Sequence, residues 1–418
     1  MNETSPITDP VENGPAGEAF YTAPSPLPAG VPGDPVYVRR LDNPAAALEA
    51  GENWLVLYRS QDVRGGAVAT SGIIALPDRN EHPVPAGGYP LVSWAHGTVG
   101  VANIVAPSRD RGDTGASPMN AYPNDLLNSF LRRGWAVAMT DYEALGTGTE
   151  DHLHPYLLGA SEANGVLDIV LAARRLFRGR IGEKYAIVGH SQGGQAALFA
   201  ARYAPERVDS GLVGVAAIAP SNHALGLVRI GAADPNVGEG FAFTPLFLAG
   251  AIGGNPGIDP AQVLSDEALL IWPHVRDRSR AELSADDSWG GILGSNQFRG
   301  TYPNRPNDHQ KLFETELGAM NPKVEIKVPV RIAQADNDLR VKASLLPPFK
   351  GTDDLVDELN ETNKKHGVEV EYARYAEKSD DAVKVPENDP YALGVHFATI
   401  NHDAAALSDW IHDLFTQA

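Results

Sequence analysis

The stretch at residues 183–203, EKYAIVGHSQGGQAALFAARY, constrains the fold more than any other part of the chain. Residues 185–188 are apolar and favour a buried strand, whereas the Ala- and Leu-rich residues 195–203 favour a helix. Between them, residues 189–193 form a G-x-S-x-G pattern, which is typical of a strand-to-helix turn that exposes a nucleophile. Glycines let the strand and the helix approach each other closely at such a turn. We therefore predict Ser191 as a nucleophile; a plain tight turn is the alternative.

Composition limits the classes of function that remain open. The chain has 418 residues, 43% hydrophobic and 21% charged, as expected for a globular protein with one large domain plus an insertion, or with two domains. Its formal net charge of −19 argues against a nucleic-acid partner. No apolar run is long enough to predict a membrane span. The absence of cysteine excludes disulfides, thiolate metal sites and a cysteine nucleophile.

The N-terminal residues give an expectation about location. Residues 1–20 lack the basic start and the apolar segment of a secretory signal. We therefore expect a cytoplasmic protein, or a secreted one from which a signal has been removed. Residues 1–35 are rich in Pro, Gly, Ala and Ser and predict an irregular arm.

Alternating strand and helix patterns predict an α/β fold. Strand patterns fall at 36–38, 54–58, 67–76, 89–95, 135–140, 185–188, 212–219, 328–334 and 368–375, and helical patterns at 124–133, 161–177, 195–203, 353–365 and 404–415. From residue 89 onward this alternation predicts a mostly parallel, doubly wound sheet with helices on both faces. We expect Ser161 to cap the helix that it begins.

A long interruption divides the predicted sheet. Residues 222–325 contain helical fragments punctuated by Gly and Pro, and they are too many for a loop. We therefore expect a core in two parts, residues 36–221 and 326–418, with an inserted helical cap at 222–325.

A serine hydroxyl needs a base within hydrogen-bond reach and a third group that orients the base. In doubly wound hydrolases these groups follow in the order Ser, Asp or Glu, His, each after a strand. Asp336 and Asp338 both follow the strand pattern at 328–334, and we favour Asp338 as the acid. For the base we favour His402, directly before the predicted helix at 404–415, with His396 as the alternative.

Two backbone N–H groups are predicted to bind a developing oxyanion. One belongs to Gln192, which follows the nucleophile, and the other to Thr98, in the loop after the strand pattern at 89–95. His152 and His154 are close in sequence, but no further ligand spacing supports a metal site. We therefore expect neither a metal nor an organic cofactor.

Several stretches together resemble the secretory lipase family of α/β-hydrolases. They are YPLVSWAHGTVG, TDYEALGTG with HPYLLGASEANGVLDIVLAAR, IVGHSQGGQAA, AQADNDLRV, and NHDAA before a tryptophan-bearing helix. The resemblance covers residue 20 to the end of the chain. It implies an α/β-hydrolase fold with a helical cap and a triad of Ser191, Asp338 and His402. The family pattern places this Asp three residues before a Val, here Val341.

The resemblance implies a serine carboxylesterase or lipase that forms an acyl-enzyme on small-molecule esters, from short acyl esters to triacylglycerols. A peptidase or amidase on the same fold is one alternative, because a fold does not fix the leaving group. A peptidase would usually need a charged anchor in the cap, for which Arg276, Arg278 and Arg299 are candidates. A non-catalytic binding protein with this fold is the other alternative. The sequence predicts neither the acyl chain length nor the oligomeric state.

Overall fold

A computed structural model describes residues 9–149, 152–208, 210–233, 242–385 and 393–417. Its central element is a nine-stranded sheet in the order β1-β2-β3-β5-β4-β6-β7-β8-β9. The strands are β1 (Pro35–Arg40), β2 (Gly51–Gln61), β3 (Ala67–Pro77), β4 (Tyr89–Ala95), β5 (Ala136–Thr140), β6 (Ile181–His190), β7 (Leu212–Ile218), β8 (Val330–Ala335) and β9 (Val370–Tyr375).

The helices of this described part are numbered in chain order. They are α1 (Ser117–Ala121), α2 (Asn124–Arg132), α3 (Gly159–Leu176), α4 (Gln192–Arg207), α5 (Ala224–Ala233), α6 (Thr244–Gly254), α7 (Pro260–Val263), α8 (Asp266–Ile271), α9 (Arg280–Leu283), α10 (Asp308–Ala319), α11 (Thr352–Asn363) and α12 (Gly394–Gln417).

The sheet combines an antiparallel edge with a long parallel part. Strands β1, β2, β3 and β5 pair antiparallel, whereas the pairs from β5 through β4, β6, β7 and β8 to β9 are all parallel. Because parallel strands end at the same edge, the loops after β4, β6, β7 and β8 lie side by side. The prediction of a mostly parallel α/β sheet is confirmed.

Helices cover both faces of this sheet. Helices α3 and α4 contact each other and the sheet, and α2 and α12 form a second contacting pair on it. Central strands are accordingly buried along their length: residues 185–190 of β6 and 214–218 of β7 are all buried. Strands buried on both faces are continuous apolar runs, which is why residues 185–188 stand out in the sequence.

The segment between β7 and β8 forms helices α5 to α10 in its described residues. Its side chains build a second apolar cluster around Trp289, Phe313 and Leu246, separate from the cluster beneath the sheet. Tyr156 and Leu157, which precede α3, join this second cluster and connect it to the sheet domain. In its described residues, this segment between β7 and β8 is therefore helical and contributes no strand to the sheet.

The N-terminal arm, of which residues 1–8 lie outside the described part, follows the antiparallel edge of the sheet. A short 3₁₀ helix at Gly17–Tyr21 buries Phe20 and Tyr21 in a third apolar cluster, which includes Leu55 and Leu57 of β2. Burial of these aromatic rings fixes the arm against the sheet in spite of its irregular backbone.

Helices α12 and α3 both begin earlier than predicted. Helix α12 begins at Gly394, ten residues before the predicted start, because residues 395–403 contain no Gly or Pro and their buried Phe397 and Ile400 continue the apolar face. Helix α3 begins at Gly159, so Ser161 lies inside it and does not cap it. The Ser161 hydroxyl instead donates a hydrogen bond to the buried Glu143 carboxylate.

Candidate active site

Ser191 occupies the turn between β6 and α4 in a backbone conformation that non-glycine residues rarely adopt. Its φ is 58° and its ψ is −118°. Its N–H donates to the carbonyl oxygen of Ile218 on the next strand (2.9 Å), and its carbonyl accepts from the N–H groups of Gln195 (3.1 Å) and Ser221 (2.9 Å). These hydrogen bonds hold the strained turn in place and leave the hydroxyl at the sheet edge.

The glycines of the pentapeptide allow the close approach that this turn requires. A Cβ added to Gly193 would overlap the carbonyl of Ala95, the last residue of β4, and one added to Gly189 would overlap the carbonyl of Gly193. Helix α4 therefore crosses the strand ends at a distance that only glycine permits.

Asp338 lies in the loop after β8 and is fully buried. Its Oδ2 is 2.7 Å from Nδ1 of His396, and its Oδ1 accepts from the N–H groups of Arg340 (2.8 Å) and Val341 (3.1 Å). Burial raises the pKa of this carboxyl, but the charge and hydrogen bond of His396 and the two backbone N–H groups outweigh burial and lower it below its usual value. Asp338 is therefore an ionised partner for His396 at neutral pH.

His396 reaches Asp338 from the first turn of α12 and contacts the nucleophile turn as well. Its backbone carbonyl accepts from Nε2 of His190, the residue before Ser191, at 3.0 Å, and the two imidazole rings are 4.5 Å apart. Both His396 and Ser191 line one cavity of about 440 Å³. The structure thus brings Ser191, Asp338 and His396 together at the carboxyl edge of the sheet.

The structure does not bring His402 to this site, whereas it places His396, the alternative base, beside Asp338. The Nε2 atom of His402 is 3.2 Å from Asp381, and its ring lies edge-on to Tyr375 at 4.5 Å. Six residues along a helix correspond to a rotation of about 240°, so His402 points away from His396 on α12. A helical reading of residues 394–403 would have favoured His396, because only one of the two can face Asp338.

The two candidate acids, Asp336 and Asp338, differ in burial and in their partners. Asp338 is buried against His396, whereas Asp336 forms an ion pair with Arg374 (2.7 Å) and is partly exposed. The geometry therefore agrees with the preference for Asp338.

Of the two predicted oxyanion residues, one lines this cavity and the other directly follows Ser191 in the chain. Thr98 lines it, and its hydroxyl is 2.8 Å from the Tyr156 hydroxyl. Gln192 is the first residue of α4, where backbone N–H groups have no carbonyl partner within the helix.

Two buried side chains, Glu162 and His154, hold the Gln192 side chain, and the sequence did not indicate this role for them. The Nε2 of Gln192 donates to Oε1 of Glu162 (2.7 Å) and to Nε2 of His154 (2.7 Å). His154 Nδ1 in turn donates to the carbonyl of Glu143 at 2.9 Å, which leaves its Nε2 free to accept. Glu162 and His154 are both fully buried, so they fix the first turn of α4 from below. Neither residue has a spacing that would have indicated this role.

The histidines at 152 and 154, which are close in sequence, have separate partners in the structure. Nε2 of His152 lies 3.0 Å from the Glu143 carboxylate, and Nε2 of His154 accepts a hydrogen bond from the Gln192 side chain. Within the described ranges, no cluster of three potential metal ligands occurs. In the same ranges, no helix combines the length and apolar character needed to cross a bilayer.

Comparison with known proteins agrees with this architecture. The family model for the secretory lipases matches residues 120–235. The fold is similar to the rice cell wall degrading esterase LipA from Xanthomonas oryzae, with a TM-score of 0.69 and 19% identity over 91% of this chain and 98% of that one. It is also similar to lipase A from Candida antarctica in its closed state, with a TM-score of 0.67 and 16% identity over 85% and 79% of the two chains. No curated protein matches significantly.

At these identities the solved structures establish the fold, and the family match adds the relationship in sequence. The matched residues 120–235 include all of α3, the turn at Ser191 and all of α4. The resemblance to secretory lipases is thereby confirmed, and the chain is a carboxylic ester hydrolase of the lipase and esterase type with the α/β-hydrolase fold.

Proposed function

We propose that the protein is a serine esterase or lipase in which Ser191, His396 and Asp338 form the catalytic triad and the substrate acylates Ser191. The observation that supports this most strongly is the 2.7 Å contact between His396 Nδ1 and Asp338 Oδ2 beside the cavity that Ser191 lines. A histidine oriented by a buried carboxylate next to a strained serine is the arrangement that activates a hydroxyl.

The hydrogen bond to Asp338 sets the protonation of the base. Because a carboxylate only accepts, Nδ1 of His396 carries the proton and Nε2 keeps its lone pair. As the Ser191 oxygen attacks the acyl carbon, Nε2 takes the hydroxyl proton, and Asp338 stabilises the imidazolium. The same proton then passes to the leaving alkoxide. A water molecule, deprotonated by His396, finally hydrolyses the acyl-enzyme and releases the acid.

The oxyanion of each tetrahedral intermediate would be bound by the N–H groups of Gln192 and Thr98. The first stands at the N-terminus of α4, where the helix dipole also favours negative charge. Buried contacts of the Gln192 side chain with Glu162 and His154 hold this turn rigid. Rigid donors stabilise the intermediate without reorganising during the reaction.

The insertion would serve as the cap over the substrate. Its Leu227, Ile230, Phe243 and Phe247 line the cavity opposite Ser191 and present an apolar wall to an acyl or alcohol group. We accordingly assign residues 36–221 and 326–418 to the catalytic core and residues 222–325 to the cap. The substrate is a small-molecule ester.

The three arginines considered as anchors for a peptide terminus do not support a peptidase. Arg278 pairs with Asp287 (2.9 Å) and Arg299 pairs with Asp266, while Arg276 lines a different cavity. None of the three lines the cavity that contains Ser191.

Hydrolysis of para-nitrophenyl esters from acetate to palmitate tests the proposal, with wild type compared with Ser191→Ala. We expect wild-type turnover with at least one chain length and a loss of roughly 10³-fold or more in kcat for the variant. The chain length with the highest kcat/KM separates an esterase from a lipase. Wild type without activity across the series, or a fully active Ser191→Ala variant, would rule the proposal out.

A further inference from the structure

Arg280 is the first residue of α9 in the insertion, and its side chain lines the cavity of Ser191. Its backbone N–H donates to the carbonyl of Val99 at 2.7 Å, directly after Thr98 in the loop that follows β4. Arg280 is therefore attached by its backbone to the loop that is proposed to bind the oxyanion.

The Arg280 guanidinium has no carboxylate partner among the residues that the structure describes. Its Nε is buried and makes no hydrogen bond, and the guanidinium lies 5.0 Å from the centre of the Phe243 ring. Burial, with a smaller contribution from the nearby Arg340 charge, lowers the pKa of Arg280 to about 10, so the group remains charged at neutral pH. Two residues earlier, Arg278 has its own counter-ion, Asp287, at 2.9 Å.

The charge of the cavity contrasts with that of the chain as a whole. The formal net charge is −19, yet the cavity-lining residues of the described part include Arg280, Arg340, Lys342 and Lys350 and contain neither Asp nor Glu. Lys350 is neutralised outside the cavity by Glu358 at 2.5 Å. A largely desolvated cation without a counter-ion is costly, and an anionic ligand would remove that cost.

We propose that Arg280 binds a carboxylate on the substrate, so that the preferred substrates are esters that carry a free carboxylate in addition to the ester group. This inference rests on the proposed ester hydrolysis at Ser191. A guanidinium can bind a carboxylate through two parallel hydrogen bonds, which fix the orientation of the substrate and increase its affinity. The apolar wall of Leu227, Ile230 and Phe247 then takes the hydrocarbon part between the carboxylate and the ester.

Two matched ester pairs test the inference and locate the carboxylate. The acyl pair is the mono-para-nitrophenyl ester of adipic acid against para-nitrophenyl hexanoate. The alcohol pair is para-acetoxybenzoate against its methyl ester. For each pair, the ratio of kcat/KM for the charged ester to kcat/KM for the neutral ester is measured in wild type, Arg280→Met and Arg280→Lys. Arg278→Met is the matched control, because its guanidinium is already paired outside the cavity.

In wild type we expect the charged ester to be preferred in at least one pair, and that pair shows whether the acyl or the alcohol part carries the carboxylate. Arg280→Met should lower the ratio for this pair roughly 30-fold or more, mainly through KM. Arg280→Lys should keep part of the preference because it keeps the charge, and Arg278→Met should keep all of it.

Other results would overturn the inference. Wild type that favours the neutral ester in both pairs, or treats them equally, contradicts it without any variant. An Arg280→Met variant that slows both members of a pair by the same factor shows a structural or oxyanion role instead. If neutral esters are hydrolysed in a Ser191-dependent manner without a preference for charge, only this inference fails. If wild type hydrolyses none of the four esters, the proposed function fails with it.

Discussion

Nδ1 of His396 lies 2.7 Å from Oδ2 of Asp338, although 58 residues separate the two in the chain. The loop after β8 supplies the carboxylate, and the first turn of α12 supplies the imidazole. The contact orients the histidine towards the cavity of Ser191, and the proposed chemistry depends on it.

The first prediction separates the two candidate bases. His396→Ala should lower kcat for ester hydrolysis by roughly 10³- to 10⁴-fold or more, because Ser191 loses the acceptor for its proton. His402→Ala is the matched control on the same helix and should stay within about threefold of wild type, since His402 contacts Asp381 outside the cavity. Steady-state kinetics with one para-nitrophenyl ester measures both. Loss of activity in the His402 variant with an active His396 variant would reverse the assignment.

The second prediction concerns the acid. Asp338→Asn should lower kcat by roughly 10³- to 10⁴-fold, because an amide can donate to Nδ1 and then favours the wrong tautomer of His396. Asp336→Asn removes a partly exposed ion pair with Arg374 and should leave kcat almost unchanged. The pair is compared at saturating ester, after circular dichroism has shown that both variants are folded. Equal losses would refute a specific role for Asp338.

The strand, turn and helix around the proposed nucleophile are predictable from the sequence because their signals are local. The apolar run at 185–188, the glycine-flanked serine and the following helix are contiguous, and each appears in the structure where it was predicted. The order of the chain also narrows the acid to Asp336 or Asp338, because it must follow β8. The prediction of His402 as the base depended on where α12 begins, and that helix begins ten residues earlier than predicted.

The start of α12 depends on contacts with residues that are distant in the chain. Residues 395–403 contain no Gly or Pro, but the polar residues 401–403 directly precede the apolar helical pattern predicted at 404–415. In the structure, Asp403 is buried, and its Oδ1 accepts a hydrogen bond from the Arg331 guanidinium on β8 at 2.7 Å. This ion pair stabilises a charged residue inside the helix. The charged cavity around Arg280 was equally hidden, since its side chains come from distant segments of the chain.

The third prediction tests the close approach of α4 to β4. Gly193→Ala should lower the free energy of unfolding by about 2–4 kcal/mol, because the new methyl group overlaps the Ala95 carbonyl. Gly318→Ala is the control. Gly318 is an exposed residue in the last turn of α10, with no heavy atom near the added Cβ, and alanine there should stabilise by up to about 1 kcal/mol. Chemical denaturation measures both values. A Gly193→Ala variant as stable as wild type would contradict the packing described.

The fourth prediction concerns stability at acidic pH. Burial lowers the pKa of His96 from 6.5 to about 4, outweighing the hydrogen bond to the Gly97 carbonyl that raises it. The folded state therefore keeps His96 neutral where the unfolded state binds a proton, so stability is lost as the pH falls from about 6.5 towards 4. This histidine alone should contribute a loss of about 3 kcal/mol over that range. His96→Gln should show a shallower decline when the free energy of unfolding is measured by urea titration at several pH values. Identical slopes in both proteins would exclude His96 as a source of the acid sensitivity.

The central claim is that Ser191 is a nucleophile activated by His396 and Asp338, and covalent labelling tests it most directly. A para-nitrophenyl alkylphosphonate should release one equivalent of nitrophenol and add its phosphonyl group to the peptide that contains Ser191, as read by mass spectrometry. The account predicts no label in Ser191→Ala, strongly slowed labelling in His396→Ala and normal labelling in His402→Ala. An unlabelled wild type, or a label on a residue other than Ser191, would contradict it.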